Sequence, residues 1–244
     1  MGAEAALKRE SIAFILDHPK NPENIGLAAR AMANFGFMRL RLVAPEGLDH
    51  ARRIARHGAA VVEQAQVYDT LEQALADLTV VLTTTGLKEL VGEEPLLPGP
   101  AARWLAESSQ AGPVGLLFGC ERIGLTAAQV LMGDRICRVP TWADCPSMNL
   151  SHAVGLFAWE LNQATGSVGS LPAEPPATWA EKRLALDKLD QALQALELKP
   201  EGRRQALLLG LKEFLDRRAM SQGDAKYVLQ GLNLLIKRLG EMKQ

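Results

Sequence analysis

Cysteine is scarce: there are three, at Cys120, Cys137 and Cys145, an odd number without the close paired spacing of a zinc site or redox motif. That spacing predicts free buried thiols in a reducing compartment, and no metal. Long apolar runs are missing too. None approaches the roughly 18 residues that a membrane helix needs, and the first residues lack the apolar core of a secretory signal. The chain begins Met-Gly, but Ala6 stands where an N-myristoylation signal wants Ser or Thr. The expectation is a soluble, unprocessed cytoplasmic protein with no membrane partner. Net charge is only -1, which does not advertise a nucleic-acid binder. The first strand-helix turn reads DHPKNPENIG and carries no Gly-x-Gly-x-x-Gly; nor does a Gly-x-x-x-x-Gly-Lys-Ser/Thr P-loop occur anywhere. Nicotinamide and ATP chemistry lose ground accordingly. With no recognisable Ser-His-Asp set, no Cys-His nucleophile with an assignable base and no metal-ligand cluster, hydrolysis by the usual routes is disfavoured.

What the chain does have is a globular composition, 48% hydrophobic and 23% charged over 244 residues, enough for a core domain with a small appendage. Short apolar runs recur at 11–16, 40–43, 80–84, 114–118 and 136–139. Helical periods lie between them at 25–34, 71–76, 101–107 and 127–132. Strands alternating with helices predict an α/β domain on a parallel sheet, whose ligands sit at the carboxyl ends of the strands. The loops at 17–24, 84–88, 119–126 and 140–149 all fall there. Residues 166–176, GSVGSLPAEPP, have a linker's composition. The domains are therefore drawn as 1–166, a linker over 167–177, and a helical domain over 178–244. Apolar faces in the last are Leu186, Leu189, Leu193 and Leu196; Leu207, Leu208, Leu211 and Leu215; and Val228, Leu232, Leu235 and Leu239. Charge is uneven: residues 1–60 are +3, 61–170 are -7, and 171–244 are +3. Arg30, Arg39, Arg41, Arg52, Arg53 and Arg56 are candidates for a phosphate-attracting face.

Three segments carry the chemical signal. Leu116–Thr126, LLFGCERIGLT, runs from a buried strand through two glycines to Thr126, which has Gln129 three residues on, a capping box. Gly119 and Gly124 let backbone approach a ligand closely. In Asn21–Phe37, NPENIGLAARAMANFGF, Asn21 or Asn24 can cap the helix, Gly26 permits close approach, and Arg30 sits among small alanines. In Val139–Leu156, VPTWADCPSMNLSHAVGL, Pro140 and Pro146 bracket a loop and Ser147 or Asn149 can cap the next helix. His152, one turn in, has no partner to make it catalytic, and Asp17 and Glu121 are a carboxylate pair only if the fold brings them together.

Taken together and in order, NIGLAAR, FGCERIGL and the Ser-x-Asn end of PTWADCPSMN resemble the SPOUT class of methyltransferases, and within it the TrmH-like RNA ribose 2'-O-methyltransferases. The tail, with DAKYVLQGLNLLIKRL near its end, looks further like the TrmJ type, which methylates a ribose in the tRNA anticodon loop. The resemblance covers nearly the whole chain, although Cys120 stands where such sequences carry a basic residue. It implies a SPOUT fold: a parallel sheet with helices on both faces and a C-terminal trefoil knot, in a homodimer whose active sites lie at the interface. It implies S-adenosyl-L-methionine as cofactor, held by Thr84, Thr85, Gly86, Gly119, Glu121, Val139, Ser147 and Met148. The catalytic set by motif match is Arg30, Glu121, Ser147 and Asn149, and the RNA contacts are Asn24, Arg30 and Arg122. A guanidinium suits gripping a phosphate and orienting a hydroxyl better than accepting a proton. The proton acceptor stays open among Ser147, Glu121 and a phosphate oxygen. RNA is the expected partner, tRNA ahead of rRNA on the tail alone. The competing expectations are an rRNA methyltransferase of the same class and a non-catalytic RNA-binding SPOUT protein.

Overall fold

A computed structural model of the chain describes residues 8–86, 94–164, 176–196, 201–217 and 220–241. It divides into two compact units, 1–171 and 172–244. Residues 167–175 of the expected linker lie outside the described residues, as do Leu87 and Lys88 of the 84–88 loop.

The first unit is a six-stranded, wholly parallel sheet in the order β3-β2-β1-β5-β4-β6. Its strands are β1 (Ile12–Asp17), β2 (Arg39–Val43), β3 (Gln66–Tyr68), β4 (Val80–Thr84), β5 (Val114–Phe118) and β6 (Arg135–Cys137). β1 and β5 are buried at every residue, as strands covered on both faces must be. They pair from Ile12↔Val114 to Leu16↔Phe118. Side chains at 12, 14, 16, 114, 116 and 118 enter one core with α1 (Pro22–Asn34), α2 (Leu48–Ala55), α3 (Ala59–Glu63), α5 (Pro98–Ser108) and α7 (Leu150–Gln163). The alternate side chains face the other way, where α4 (Leu71–Leu75) and α6 (Ala127–Val130) close the second layer. There Ile15 and Leu78 come so near the Cα of Gly115 that a Cβ would collide with both.

Local signals explain where elements begin. α1 starts three residues before the expected Ile25, because Asn21 accepts a hydrogen bond from Glu23 N–H (2.9 Å) and Pro22 occupies the first helical position. The Thr126–Gln129 capping box forms as expected. β6 stops at Cys137, short of Val139. β2 delivers the clearest correction: Arg41, expected on a phosphate-attracting face, is 1% exposed. It forks onto Asp77 (2.6 and 2.8 Å) and donates to the Ala74 carbonyl, tying β2 to α4. Arg39 likewise turns to the Glu10 carbonyl (3.1 Å).

The second unit consists of α8 (Trp179–Ala195), α9 (Glu201–Arg217) and α10 (Gln222–Glu241). α8 opens with a capping box of Thr178 and Glu181, and Ala177 N–H donates to the Met220 carbonyl (2.7 Å). Among the described residues one buried cluster joins Ala177, Met220 and Ala225, backed by Leu186 and Val228, and Trp179, Ala185 and Ala192 of α8 are buried as well. Leu196, Leu207 and Leu235 from the expected apolar faces are exposed, and the side chains of Leu211 and Leu215 lie outside those described. Among the described residues no helix is long and apolar enough to cross a membrane.

Candidate active site

The carboxyl ends of β4, β5 and β6 and the start of α7 surround a cavity of about 420 Å³, within the size range of small-molecule sites. β4 supplies Thr84, Thr85 and Gly86 to its wall. Thr84 Oγ1 donates to the Leu117 carbonyl (2.9 Å) and Thr85 N–H to the Cys137 carbonyl (2.9 Å), so this edge is fixed to both neighbouring strands. After β5 the chain folds back on itself. Gly124 N–H donates to the Cys120 carbonyl (2.9 Å), Gly124 takes φ +67°, and the Gly119 Cα faces the backbone of Gly124 and Leu125 so closely that no Cβ fits. Glycine is therefore required at 119 by the close backbone approach and favoured at 124 by the left-handed φ. After β6 come Val139, Thr141, Pro146, Ser147 and Met148; Thr141 Oγ1 donates to the Pro146 carbonyl (3.0 Å) and closes this loop. Leu150, Ala153 and Phe157 form an apolar floor from one stripe of α7.

Behind the wall runs a chain of side-chain hydrogen bonds. Glu121 accepts from Lys20 N–H (3.0 Å), Asn21 N–H (3.1 Å) and Asn24 Nδ2 (3.0 Å). Asn24 Oδ1 accepts from Asn149 Nδ2 (2.9 Å), and Asn149 Oδ1 accepts from Ser151 N–H (2.8 Å) and Ser151 Oγ (2.6 Å). Three loops remote in sequence are thus joined by one carboxylate and two amides. Burial pushes the Glu121 carboxyl up, but the N–H of Lys20, the Asn24 amide and the N–H of Asn21 outweigh it and hold it below its ordinary value. An ionised carboxylate engaged by three donors is a clamp and a weak base.

The structure brings all eight expected cofactor residues to the cavity wall, together with Arg122. Arg30, Asn24 and Asn149 are not on it. Asn24, 5% exposed, and Asn149, the N-cap of α7, act through the amide chain instead. Arg30 is half-buried in the third turn of α1, where the backbone of Gly58 presses on its own: a Cβ at Gly58 would lie 2.6 Å from the Arg30 Cα. Its guanidinium makes no hydrogen bond or ion pair among the described residues. Asp17 and Glu121 do not pair: Asp17 accepts from Gln129 Nε2 (2.8 Å) and shares a hydrogen bond with His18 Nδ1 (2.8 Å). His152 is exposed. Of the cysteines only Cys137 is the buried thiol expected; Cys120 is half-buried on the cavity wall and Cys145 exposed. Phe118, Ile123, Leu125 and the α7 stripe line the cavity beyond the expected set. The spacing of Leu150, Ala153 and Phe157 after the Asn149 cap is the signal that could have found the stripe.

Residues 11–159 match the model of the SpoU rRNA Methylase family. The tRNA (cytidine-2'-O-)-methyltransferase TrmJ of Methanocaldococcus jannaschii is 29% identical over 220 residues, covering 88% of this chain and 95% of the relative. The tRNA (cytidine/uridine/adenosine-2'-O-)-methyltransferase TrmJ of Pseudomonas aeruginosa is 35% identical over 158 residues, 64% of this chain and 62% of that one. Among solved structures, TrmJ from Z. mobilis ZM4 superposes with a TM-score of 0.77 at 33% identity, covering 91% of this chain and 98% of the other.

Proposed function

This chain belongs to the SpoU rRNA Methylase family, and from that premise we propose that it is a cytoplasmic S-adenosyl-L-methionine-dependent RNA ribose 2'-O-methyltransferase acting on the anticodon loop of tRNA. The observation that carries this reading is the cavity itself: the loops after β4, β5 and β6, far apart in sequence, converge on one space with an apolar floor and a glycine-built rim, and the remaining motif segment, NIGLAAR, is tied to that wall through the Asn24–Glu121 hydrogen bond. The fit to the cofactor is chemical. Phe118, Leu125 and Leu150 offer a purine an apolar bed, Thr84, Thr85 and Ser147 offer hydroxyls, and the turn from Gly119 to Gly124 brings backbone to the rim of the same space. Bound there, the cofactor supplies a methyl group already activated on a sulfonium sulfur.

The protein's own residues then have to bury the reacting groups, align the ribose oxygen and help it lose its proton. Glu121, Asn24 and Asn149 hold the loops in register. Arg30 grips a phosphate of the RNA and orients the 2'-hydroxyl with its planar fork of donors. Glu121 is a poor base because three donors engage its carboxylate, which leaves a phosphate oxygen to take the proton, directly or through Ser147 Oγ passing on its own. Arg122, on the cavity wall, contacts the incoming RNA.

Arg30 completes the cavity of a partner subunit. The support is a strip that a single chain leaves open: Leu27 and Trp159 are 44% and 49% exposed on packed helices α1 and α7, beside Ala31, Phe35 and Gly155. A homodimer covers this strip, and light scattering at working concentration is expected to give twice the chain mass. The path is knotted in the same reading. Leu96 N–H donates to the Ile136 carbonyl and the Leu96 carbonyl accepts from Arg138 N–H, so the segment at Leu96 runs beside β6 where the chain leaves the sheet.

Incubation with labelled S-adenosyl-L-methionine and bulk tRNA or rRNA tests the function. Label in tRNA with cofactor binding by calorimetry is expected. Label confined to rRNA would favour the rRNA enzyme that the family's description names, and binding of RNA without label would favour the non-catalytic reading.

A further inference from the structure

The first unit carries fourteen Lys and Arg against eighteen Asp and Glu, a net charge of -4, so a bound polyanion needs a local exception. One exists on α2 and the 3-10 turn that follows it, Arg56–Gly58, whose combined sequence is LDHARRIARHG. Most cations of residues 8–60 are spoken for: Lys8 by the Gln110 carbonyl, Arg9 by the Phe35 carbonyl, Lys20 by Glu46, Arg39 by the Glu10 carbonyl, Arg41 by Asp77, and Arg52 by Glu63. Arg30, Arg53 and Arg56 remain without a carboxylate or carbonyl partner among the described residues. The turn that begins at Arg56 ends at Gly58, whose Cα packs on the backbone of Arg30, and Arg53 lies three residues before Arg56 on the exposed last turn of α2.

Arg56 is also held at φ 49°, ψ -109°, a conformation that glycine adopts freely and a side-chain-bearing residue only at a cost. Arg56 is exposed, so burial of its side chain does not offset that cost.

We propose that the edge formed by Arg53 and Arg56 beside Arg30 is a phosphate-binding rail for the RNA strand flanking the reactive ribose. Arg30 takes the phosphate at the reacting nucleotide, and Arg53 and Arg56 take those of the neighbouring nucleotides. Such contacts carry affinity and register, with no preference for base. The inference rests on the RNA methyltransferase reading and adds to it the surface on which the substrate lies.

The test uses the full chain and bulk tRNA, with affinity measured by fluorescence anisotropy across a potassium chloride series and cofactor affinity by calorimetry. Wild type, the double variant Arg53→Ala/Arg56→Ala, Arg56→Lys and Arg56→Gly are compared. For the double variant the expected result is a loss of tRNA affinity on the order of 10- to 100-fold, with the slope of log K against log salt shallower by about 2. Its KM for tRNA rises more than its kcat falls, and its cofactor affinity matches wild type, which shows that the cavity is intact. Arg56→Lys retains most of the affinity. Arg56→Gly loses affinity while its thermal midpoint holds or rises, which separates the charge from the backbone. An unchanged salt slope and unchanged KM in the double variant, with wild type still transferring methyl groups to tRNA, would overturn this inference alone. A wild-type chain that neither binds tRNA nor methylates it would overturn the functional reading as well.

Discussion

At the scale of single residues, the geometry separates groups that act on substrate from groups that hold the site. The proposed mechanism puts Arg30 in the first kind; in the structure it is half-buried, unpartnered among the described residues and off its own chain's cavity wall. Arg30→Ala is expected to lower kcat by on the order of 10²–10³, the usual cost of removing one positioned charge-stabilising donor, with cofactor affinity kept. Arg30→Lys recovers little, because an ammonium lacks the planar fork. Steady-state kinetics with calorimetry checks both. Glu121 belongs to the second kind. Glu121→Gln puts an amide N–H where the N–H groups of Lys20 and Asn21 converge, and the expected result is cofactor affinity weaker by on the order of tenfold and a loss of about 1 kcal/mol of stability, read by calorimetry and thermal melting. The cysteines divide in the same way. Burial pushes the Cys137 thiol up to about 12, so a thiol reagent at pH 8 is expected to modify Cys145 and Cys120 in the folded protein and spare Cys137 until it unfolds. Mass spectrometry counts the labels. Cysteine spacing predicts free thiols; which of them are buried depends on strand and loop placement, and spacing carries no record of that.

Elements are legible in proportion to how much of their pattern is local. β1, β4 and β5 are continuous apolar runs, and the caps at Asn21 and Thr126 are set by residues within three positions, so both kinds of signal survive in the fold. β3 escapes notice because it has three residues and two of them face solvent. Arg41 misleads for a physical reason: charge in a strand reads as surface unless its partner is known, and Asp77 lies 36 residues away. The amide chain from Glu121 through Asn24 to Asn149 spans 97 and 125 residues in sequence, beyond any local pattern. The Arg41–Asp77 pair gives a test at this scale. Arg41 holds the Asp77 carboxyl below its ordinary value, so the pair's contribution to stability is present above the unfolded carboxyl's pKa of about 3.9 and fades as pH falls through the lowered folded value. Because Asp77 is itself 59% exposed, Asp77→Asn is expected to cost only about 1–2 kcal/mol at pH 7. The variant's thermal midpoint then drops less steeply than wild type's between about pH 5 and pH 2. Equal acid sensitivity in the two proteins would show that the ion pair does not join α4 to β2 in solution.

For the molecule as a whole, the order of strands places β5 between β1 and β4, and this arrangement brings the turn at Gly119 against the N-terminus of α1 and the start of α7. No rule of adjacent connection predicts that order, since β4 and β5 follow β3 in sequence but pair on the far side of β1. The α/β class is readable from alternation, whereas the convergence of three loops on one cavity emerges only with the fold. The same scale explains why net charge misleads: a whole-chain value of -1 hides Arg30 on α1 and Arg53 and Arg56 at the end of α2, none with a carboxylate partner among the described residues, in a unit that is otherwise acidic. The central claim, methyl transfer to a ribose oxygen of tRNA, is tested most directly by one measurement. The protein is incubated with tRNA and methyl-labelled S-adenosyl-L-methionine, the tRNA is digested to nucleosides, and the labelled product is identified by mass spectrometry. The account predicts a 2'-O-methyl nucleoside from the anticodon loop, formed on the order of 10²–10³-fold more slowly with Arg30→Ala. Label on a base, or no label in tRNA from a chain that binds the cofactor, would contradict it.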